Sequence, residues 1–540
     1  MIRSRHIGIA ALVIASFSMA PAVAELQLVD ARPGGGQSFG GSSRGSSGSG
    51  SGSGSSGSRS GGGSSRSDYG SSGRSSSPST PYGSGGGSSG GGGGESFVLV
   101  FGAAVVFIVL WVLVSNGVLW TRTQGEEPWQ SSVPEPERTS APPQPKKPKA
   151  KKPRTSIKKA IASVGGRDHD FSDVVFEDFL YSLYAEVHRA RGSKRLEQLR
   201  PYLRAGVEKA LEAHTVEEVR DIIIGSMRIT QVTVDTHRRV QVVVTFTTNY
   251  TERHQGRDAS YYVEERWRLS RSVDTPSRKP ESARVIGCPN CGAPLERQVA
   301  SKCKYCGVVT TDGDHDWRVE DWEILDKEER GPILTGTTEE VGTNDPTIVA
   351  PDARAELEAL QRADPNMKWG AFSQRIELVF TTFHEAWSTQ DLTPVRPLLS
   401  DALYDTQRYW VETYRAQGLQ NKTEERELQS IQLSRVTRDK YYDAVTVRVF
   451  ASCIDYTVDK QGKVVGGDRE TPRLYSEYWT LIRAAGKVGV PRSEPGCPNC
   501  GAPAESINQA GTCKSCKAEI TRGQFDWVLS RIEQDEVYRL

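Results

Sequence analysis

The residues of this chain best placed to do chemistry are cysteines, and they come in two matching sets. Cys288-Pro-Asn-Cys291-Gly-Ala-Pro is followed by Cys303-Lys-Tyr-Cys306. About 209 positions later Cys497-Pro-Asn-Cys500-Gly-Ala-Pro is followed by Cys513-Lys-Ser-Cys516. Each set is two Cys-x2-Cys pairs, 11 or 12 residues apart, a spacing that lets four thiolates close a tetrahedron round one metal ion. The Pro and Gly of each first pair suit a tight knuckle whose backbone N–H groups point at the sulfurs. Tetrahedral sulfur suits zinc and iron alike, and the short loop between knuckles favours a zinc ribbon. Four protein ligands leave no position for water or substrate, so both sites are expected to be structural. Eight of the nine cysteines are used in this way. Cys453, on the apolar face of an expected strand, reads as a small buried hydrophobe. Thiols kept for metal also place this half of the chain in a reducing compartment.

Other groups that could carry chemistry do not converge. His315 lies between Asp314 and Asp316, but the second copy has Gln524-Phe525-Asp526 there, so the repeat does not require a histidine and a solvated turn is expected. Glu264-Glu265 and Glu424-Glu425 are adjacent pairs; on a strand they point to opposite faces and on a helix they diverge. G-x-S-x-G occurs only inside the Gly/Ser-rich stretch, as at Gly36–Gly40 and Gly41–Gly45, where no strand or helix is expected to present a nucleophile, and there is no P-loop or H-E-x-x-H. No catalytic or cofactor-binding residue is expected, and the chain reads as a non-enzyme.

The elements that must position the cysteines repeat as well. Leu196-Glu-Gln-Leu-Arg-Pro-Tyr-Leu203 answers Leu392-Thr-Pro-Val-Arg-Pro-Leu-Leu399. Each is preceded by an amphipathic helix: Phe171, Val175, Phe179, Leu183 and Val187 line one, and Ile376, Phe380, Phe383 and Trp387 the other. The aromatics Phe176, Phe179, Tyr181 and Tyr184 sit at helical spacing and read as core. Strands follow, with Val240, Val242, Val244 and Phe246 alternating in copy one and Val445, Val447, Val449 and Ala451 in copy two. Tyr261 to Leu269 and Tyr475 to Leu481 read as further strands anchored by Trp267 and Trp479. The cysteine knuckles come next, and Asp316-Trp317 and Asp526-Trp527 open a last strand. The expected fold is α+β: two units of helices and antiparallel sheet, each with a zinc ribbon inserted before its final strand. Pro351-Asp352 opens a short helix within a Gly/Thr/Pro-rich linker.

The N-terminal third is of another kind. Arg3 and Arg5, the apolar run Ile7–Ala20 and Ala22-Val23-Ala24 read as a signal peptide, residues 1–24, with an uncleaved signal anchor as the alternative. Of the 53 glycines, 25 fall between Gly34 and Gly94, so residues 25–96 read as a disordered Gly/Ser segment that buries too little surface to fold. Phe97 to Trp120 is a run of 24 residues without charge. As a helix it measures ~36 Å, enough for a hydrocarbon core of ~30 Å, and low-complexity flanks leave it nothing to pack against. Residues 97–120 are therefore expected to be a transmembrane helix. A basic run, Arg138, Lys146, Lys147, Lys149, Lys151, Lys152, Arg154, Lys158 and Lys159, follows in the Pro/Lys-rich linker 121–166. Positive charge beside a span marks the cytoplasmic side, so the C-terminal domains are expected in the cytoplasm and the chain in a single-pass bacterial inner (cell) membrane. The run either holds acidic lipid headgroups or is a solvated linker. Residues 1–159 carry 17 Lys/Arg against 8 Asp/Glu, so the overall +1 leaves −8 for the remainder. That acidic balance argues against nucleic acid as a partner.

With these patterns in place, residues 167–330 and 366–540 resemble the TIM forty-four-like domain, on the "RPYL/RPLL", "YYVEERW" and "DYT…YSEYWTLIR" stretches. The bacterial variants with embedded Cys-Pro-x-Cys-Gly ribbons are the closer match. The resemblance implies tandem nuclear transport factor two-like domains, a curved antiparallel sheet plus helices, with ribbons 288–306 and 497–516 inserted; composition reads 331–365 between them as linker. It implies non-catalytic, membrane-associated binding or scaffolding linked to protein translocation, with a protein partner or acidic lipid held against the sheet. The alternative is an enzyme or ligand sensor that uses a pocket in the curved sheet.

Overall fold

The computed structural model describes residues 156–540, apart from 215, 296–297, 300–301, 311–312, 333 and 337–339. The expected signal peptide, Gly/Ser segment, transmembrane helix and linker up to residue 155 lie outside the described residues. No helix among the described residues is long and apolar enough to cross a membrane.

The first copy runs α1 (Ile157–Ser163), α2 (Asp173–Gly192), α3 (Ala205–Ala213), then β1 (Glu218–Val234), β2 (Arg239–His254) and β3 (Arg257–Ser272). A small hairpin of β4 (Gln298–Val299) and β5 (Lys302–Cys303) precedes β6 (Arg318–Glu329). The four long strands form an antiparallel sheet in the order β1-β2-β3-β6. The second copy repeats this with α4 (Ala353–Ala363), α5 (Trp369–Thr389), α6 (Asp401–Gln417), β7 (Gln420–Arg438), β8 (Tyr442–Val458), β9 (Val464–Gly467), β10 (Arg473–Ala484) and β11 (Val528–Gln534). Its sheet order is β11-β10-β8-β7, with β9 beside β8.

Local chemistry accounts for the helices. Ser172 accepts a hydrogen bond from the Val175 N–H and Ser400 one from Leu403, each satisfying a backbone donor that the first helical turn leaves over. Of the expected stripe, Phe179, Leu183 and Val187 on α2 are buried against Val242, Val244 and Phe246 of β2; Phe171 joins the same core from just before the helix, and Val175 turns instead to the second copy. In α5 Ile376, Phe380, Phe383 and Trp387 bury against Val445, Val447 and Val449. Within the expected basic linker, Ile157 and Ile161 stand one helical turn apart behind a Ser156 cap, and α1 packs into the first core.

The long first strands β1 and β7 were not legible as strands. β7 reads Gln-Asn-Lys-Thr-Glu-Glu-Arg-Glu, with no apolar alternation, because it is an edge. Both are bulged at equivalent places: after Arg220, Ile224 and Ile229, and 204 residues later after Glu424, Leu428 and Leu433. At the first bulge Asp221 and Glu425 hold φ of 53° and 48°. Bulges sharpen strand twist, and three at matching positions give the two sheets the same bend.

The two copies pack together. Val175 and Ala283 of the first meet Tyr442, Ala444, Ile482 and Val528 on the outer face of the second sheet. Ion pairs flank this contact: Arg284 with Asp178 and Asp401 at 3.3 and 3.1 Å, Lys440 with Asp170, and Arg531 with Glu177. The segment expected to be a linker is ordered against the second sheet. Leu334 and Leu360 enter the second core. The Arg448 guanidinium on β8 donates to the carbonyls of Asp345 and Gly342 at 2.6 and 2.7 Å. Ser434 and Tyr478 bond the backbone of Ile348, and Tyr538 near the C-terminus stacks on Tyr478 with ring centroids 3.8 Å apart. The outer face of the second sheet is thus covered by α2 at one end and by this strap at the other.

Candidate metal centres and the buried polar groups behind them

Each ribbon begins as a knuckle in which the first cysteine both donates and accepts. The Cys288 N–H donates to the Ala293 carbonyl at 2.7 Å, and its carbonyl accepts from Gly292 at 2.8 Å; Cys497, Ala502 and Gly501 repeat this at 2.7 and 2.9 Å. The turn requires Gly292 and Gly501 at φ of 75° and 76°, a region glycine enters without penalty. The knuckles bring the sulfurs together. Sγ–Sγ distances are 3.8 Å for Cys288–Cys306, 3.7 Å for Cys291–Cys303, 3.7 Å for Cys497–Cys516 and 3.8 Å for Cys500–Cys513. Within each set all four sulfurs lie within 4.8 Å of one another. A tetrahedron with metal–sulfur bonds of about 2.3 Å has edges of about 3.8 Å. Both sets fit a metal ion such as zinc.

The electrostatics of the two sets also agree. Burial pushes Cys288 and Cys497 up to about 12, against backbone N–H donors from the knuckle. Cys306 and Cys516 are drawn down to about 6, first by the side chains of Asn290 and Asn499 and then by backbone N–H groups. This explains the asparagine of the repeated Cys-Pro-Asn-Cys: it reaches across to the second knuckle and favours the thiolate a cation needs. His315 joins no metal-ligand group among the described residues.

Behind each ribbon stands a buried clamp that the sequence reading missed. In copy one the Arg271 guanidinium pairs with Asp168 at 2.5 Å and lies 4.9 Å over the Trp317 ring. In copy two Arg483 pairs with Asp364 at 2.9 Å and lies 4.5 Å over Trp527. The same carboxylates accept backbone N–H groups from Ser277 and Gly489. The Asp of each Asp-Trp accepts from its own tryptophan N–H at 2.7 Å and takes an arginine on its other oxygen, Arg278 for Asp316 and Arg375 for Asp526. The clamps fix where each ribbon leaves and rejoins its sheet.

Deeper in each fold the copies diverge. Glu265 is fully buried, and its Oε2 accepts from His188 Nε2, Trp267 Nε1 and Trp322 Nε1 at 3.2, 2.8 and 2.9 Å. Glu264, its neighbour, faces outward toward Arg228, so the adjacent acids do part to opposite faces. Among the described residues, Glu265 Oε1 and His188 Nδ1 meet no hydrogen-bond partner. Burial holds His188 below its ordinary range, which the Glu265 carboxylate only partly offsets. Burial alone would raise Glu265, but His188 and the donors on Oε2 outweigh it and hold the carboxyl below the usual range. In copy two Glu477 divides its partners: Trp479 Nε1 on Oε2 and Gln534 Nε2 on Oε1, both at 2.9 Å. His384, 196 positions after His188 as Arg396 is after Arg200, bonds Thr423 at 3.1 Å and Tyr475 at 3.0 Å. The repeated Glu-x-Trp at 265–267 and 477–479 was the available signal for these centres.

The outer faces differ too. Across the first sheet exposed side chains pair in rows, Arg266 with Glu323 and Arg268 with Asp321. At the position of Arg448 the first copy has Thr245: Val244 lies opposite Trp267 as Val447 lies opposite Trp479.

Residues 353–492 match the family described as the Tim44-like domain. The matched stretch begins at α4 and ends before Cys497, so it holds the helices and most of the second sheet but not the second ribbon. No curated protein matches the chain.

Proposed function

We propose that this protein is a membrane-anchored, non-catalytic scaffold with two Tim44-like domains at the cytoplasmic face of a bacterial inner membrane. A structural zinc ion staples each ribbon, and Cys288, Cys291, Cys303, Cys306, Cys497, Cys500, Cys513 and Cys516 are the ligands. The protein holds a protein segment or acidic lipid, in work linked to protein translocation. The observation that carries this reading is the inequality of the two outer sheet faces. The second is covered by the chain's own strap and by α2, so it acts as a buttress, while the first presents open rows of ion pairs. Such charged faces favour specificity and orientation over raw affinity, as a scaffold requires. The Tim44-like match supports the same class of role.

The experiment is affinity capture by the full chain from detergent-solubilised membranes, beside Arg266→Glu/Arg268→Glu on the open face. A partner held by the wild type and lost in this variant, with the melting temperature unchanged, is expected. A folded, metal-loaded wild type that captures nothing overturns the protein-scaffold reading. A ligand sensor or enzyme is the second reading, favoured by the buried Glu265–His188 pair. It gains if Glu265→Gln abolishes capture while the face variant does not.

A further inference from the structure

The two ribbons share a scaffold but not a surface. Among the described residues of the first copy, three of the four large apolar side chains that stand exposed belong to the ribbon or its root: Val285 at 49 %, Tyr305 at 56 % and Val309 at 41 %. The same positions in the second copy are Glu494, Ser515 and Glu519. Tyr305 lies at the tip of the second knuckle, between Cys303 and Cys306, and Val309 bridges back to Lys302 across the hairpin. Lys302 and Lys304 on this hairpin are exposed. A tyrosine flanked by lysines and a valine, on a rigid metal-closed turn, is the side-chain set that favours the boundary between lipid headgroups and acyl chains.

The path of the chain says which surface this hairpin meets. Just after α1 the carbonyl of Val164 accepts from Arg238 in the β1–β2 turn at 2.7 Å. The next residue, Arg239, donates to the Gly313 carbonyl at 2.8 Å and pairs with Asp314 at 2.9 Å, in the segment that returns from the ribbon to β6. The tether therefore enters the first copy at the same end of the sheet from which the first ribbon projects. Residues 121–155 separate the apolar run ending at Trp120 from α1.

We propose that the hairpin Lys302–Val309 is a lipid-contact finger that seats on anionic phospholipid headgroups and turns the first copy's ribbon toward the bilayer. The second ribbon, with Ser515 and Glu519 in the matching places, stays in water. This inference rests on the membrane-anchored reading.

The test uses the full-length protein in nanodiscs containing phosphatidylglycerol, with Tyr305 replaced by the photo-reactive p-benzoylphenylalanine. A parallel sample carries the same probe in place of Ser515. The expected result is a lipid adduct from position 305 and none from 515. Adding Lys302→Thr and Val309→Glu, which give the hairpin the second ribbon's residues, lowers the adduct about tenfold by removing one basic group and adding an acid at the surface. Metal content and melting temperature serve as the check that the ribbon remains folded. Equal adducts at both positions, an adduct to a second copy of the chain, or no adduct in lipid-filled discs overturns the inference alone. Protein that elutes without lipid before irradiation overturns the membrane-anchored reading and this inference with it.

Discussion

Two copies of one fold lie side by side in this protein, and they have settled opposite answers to the same packing problem. In the second copy the sheet is covered on both faces: α5 and α6 fill one, and the strap with α2 fills the other. Arg448 makes the difference. Its guanidinium draws in Asp345, Gly342 and the Asp535 carboxylate, and the first copy has Thr245 at that place. The interiors differ in the same sense. Glu477 and His384 have partners on every polar atom described above, whereas Glu265 and His188 each leave one atom without one. The second copy has a covered face and a saturated Glu477 centre, and the first keeps an open face and an unsaturated Glu265 centre. The two copies share one frame and part at a few shared positions, Arg448 against Thr245 among them.

The largest effect that sharpens this contrast is metal removal. Structural four-cysteine sites contribute on the order of 10–16 kcal/mol of apparent folding free energy. Cys303→Ser/Cys306→Ser and Cys513→Ser/Cys516→Ser each lower metal content from two ions per chain to one, read by elemental analysis. The second ribbon has an apolar cluster of its own, Ile507 and Ile520 beside Cys497 and Cys513. Hydrogen exchange should therefore show residues 288–313 fully released in the first variant and partial protection retained at 504–520 in the second.

A smaller effect breaks the asymmetry of the outer faces. Arg448→Thr gives the second copy the first copy's residue and leaves Asp535 buried without its cation, a loss of about 3–5 kcal/mol. Limited proteolysis should then cut within residues 340–350 of the variant and spare them in the wild type. If the strap stays protected, the buttress account fails.

The smallest effect concerns the buried pair of copy one. His188 titrates below its ordinary value, so the fold needs it neutral, and that stability is complete above about pH 6.5 and lost as pH falls below it. Glu265 is likewise held low, so its contribution is present above about pH 4.3 and lost as pH falls through its folded value. Both act in the same direction on acidification. His188→Gln should flatten the change in denaturation free energy between pH 7.5 and 5.5 by on the order of 1 kcal/mol. An unchanged slope assigns the pH dependence elsewhere.

How much was legible varied with how locally each feature is encoded. The cysteine sets could be paired from spacing alone, since a knuckle is made by its own backbone. The helix stripes Phe179, Leu183, Val187 and Ile376, Phe380, Phe383 were legible because their period of 3.6 records a single buried face. β1 and β7 were missed because edge strands with one wet face and three bulges lose the alternation that marks a strand. The clamps Asp168–Arg271 and Asp364–Arg483 could not be read because their members lie far apart in the chain, and a charged residue gives no local sign that it is buried. The linker reading of 331–365 followed composition, and composition does not show that Arg448 waits to bind that backbone.

Local chemistry in the chain was enough to specify two repeated α+β units, each with a cysteine-closed ribbon before its last strand, since spacing, periodicity and turn residues act over a few positions. The tertiary structure alone decided which sheet face is covered and which carboxylate is buried beneath tryptophans. Those outcomes depend on contacts between distant segments, where a single arginine or threonine at the meeting point sets the result.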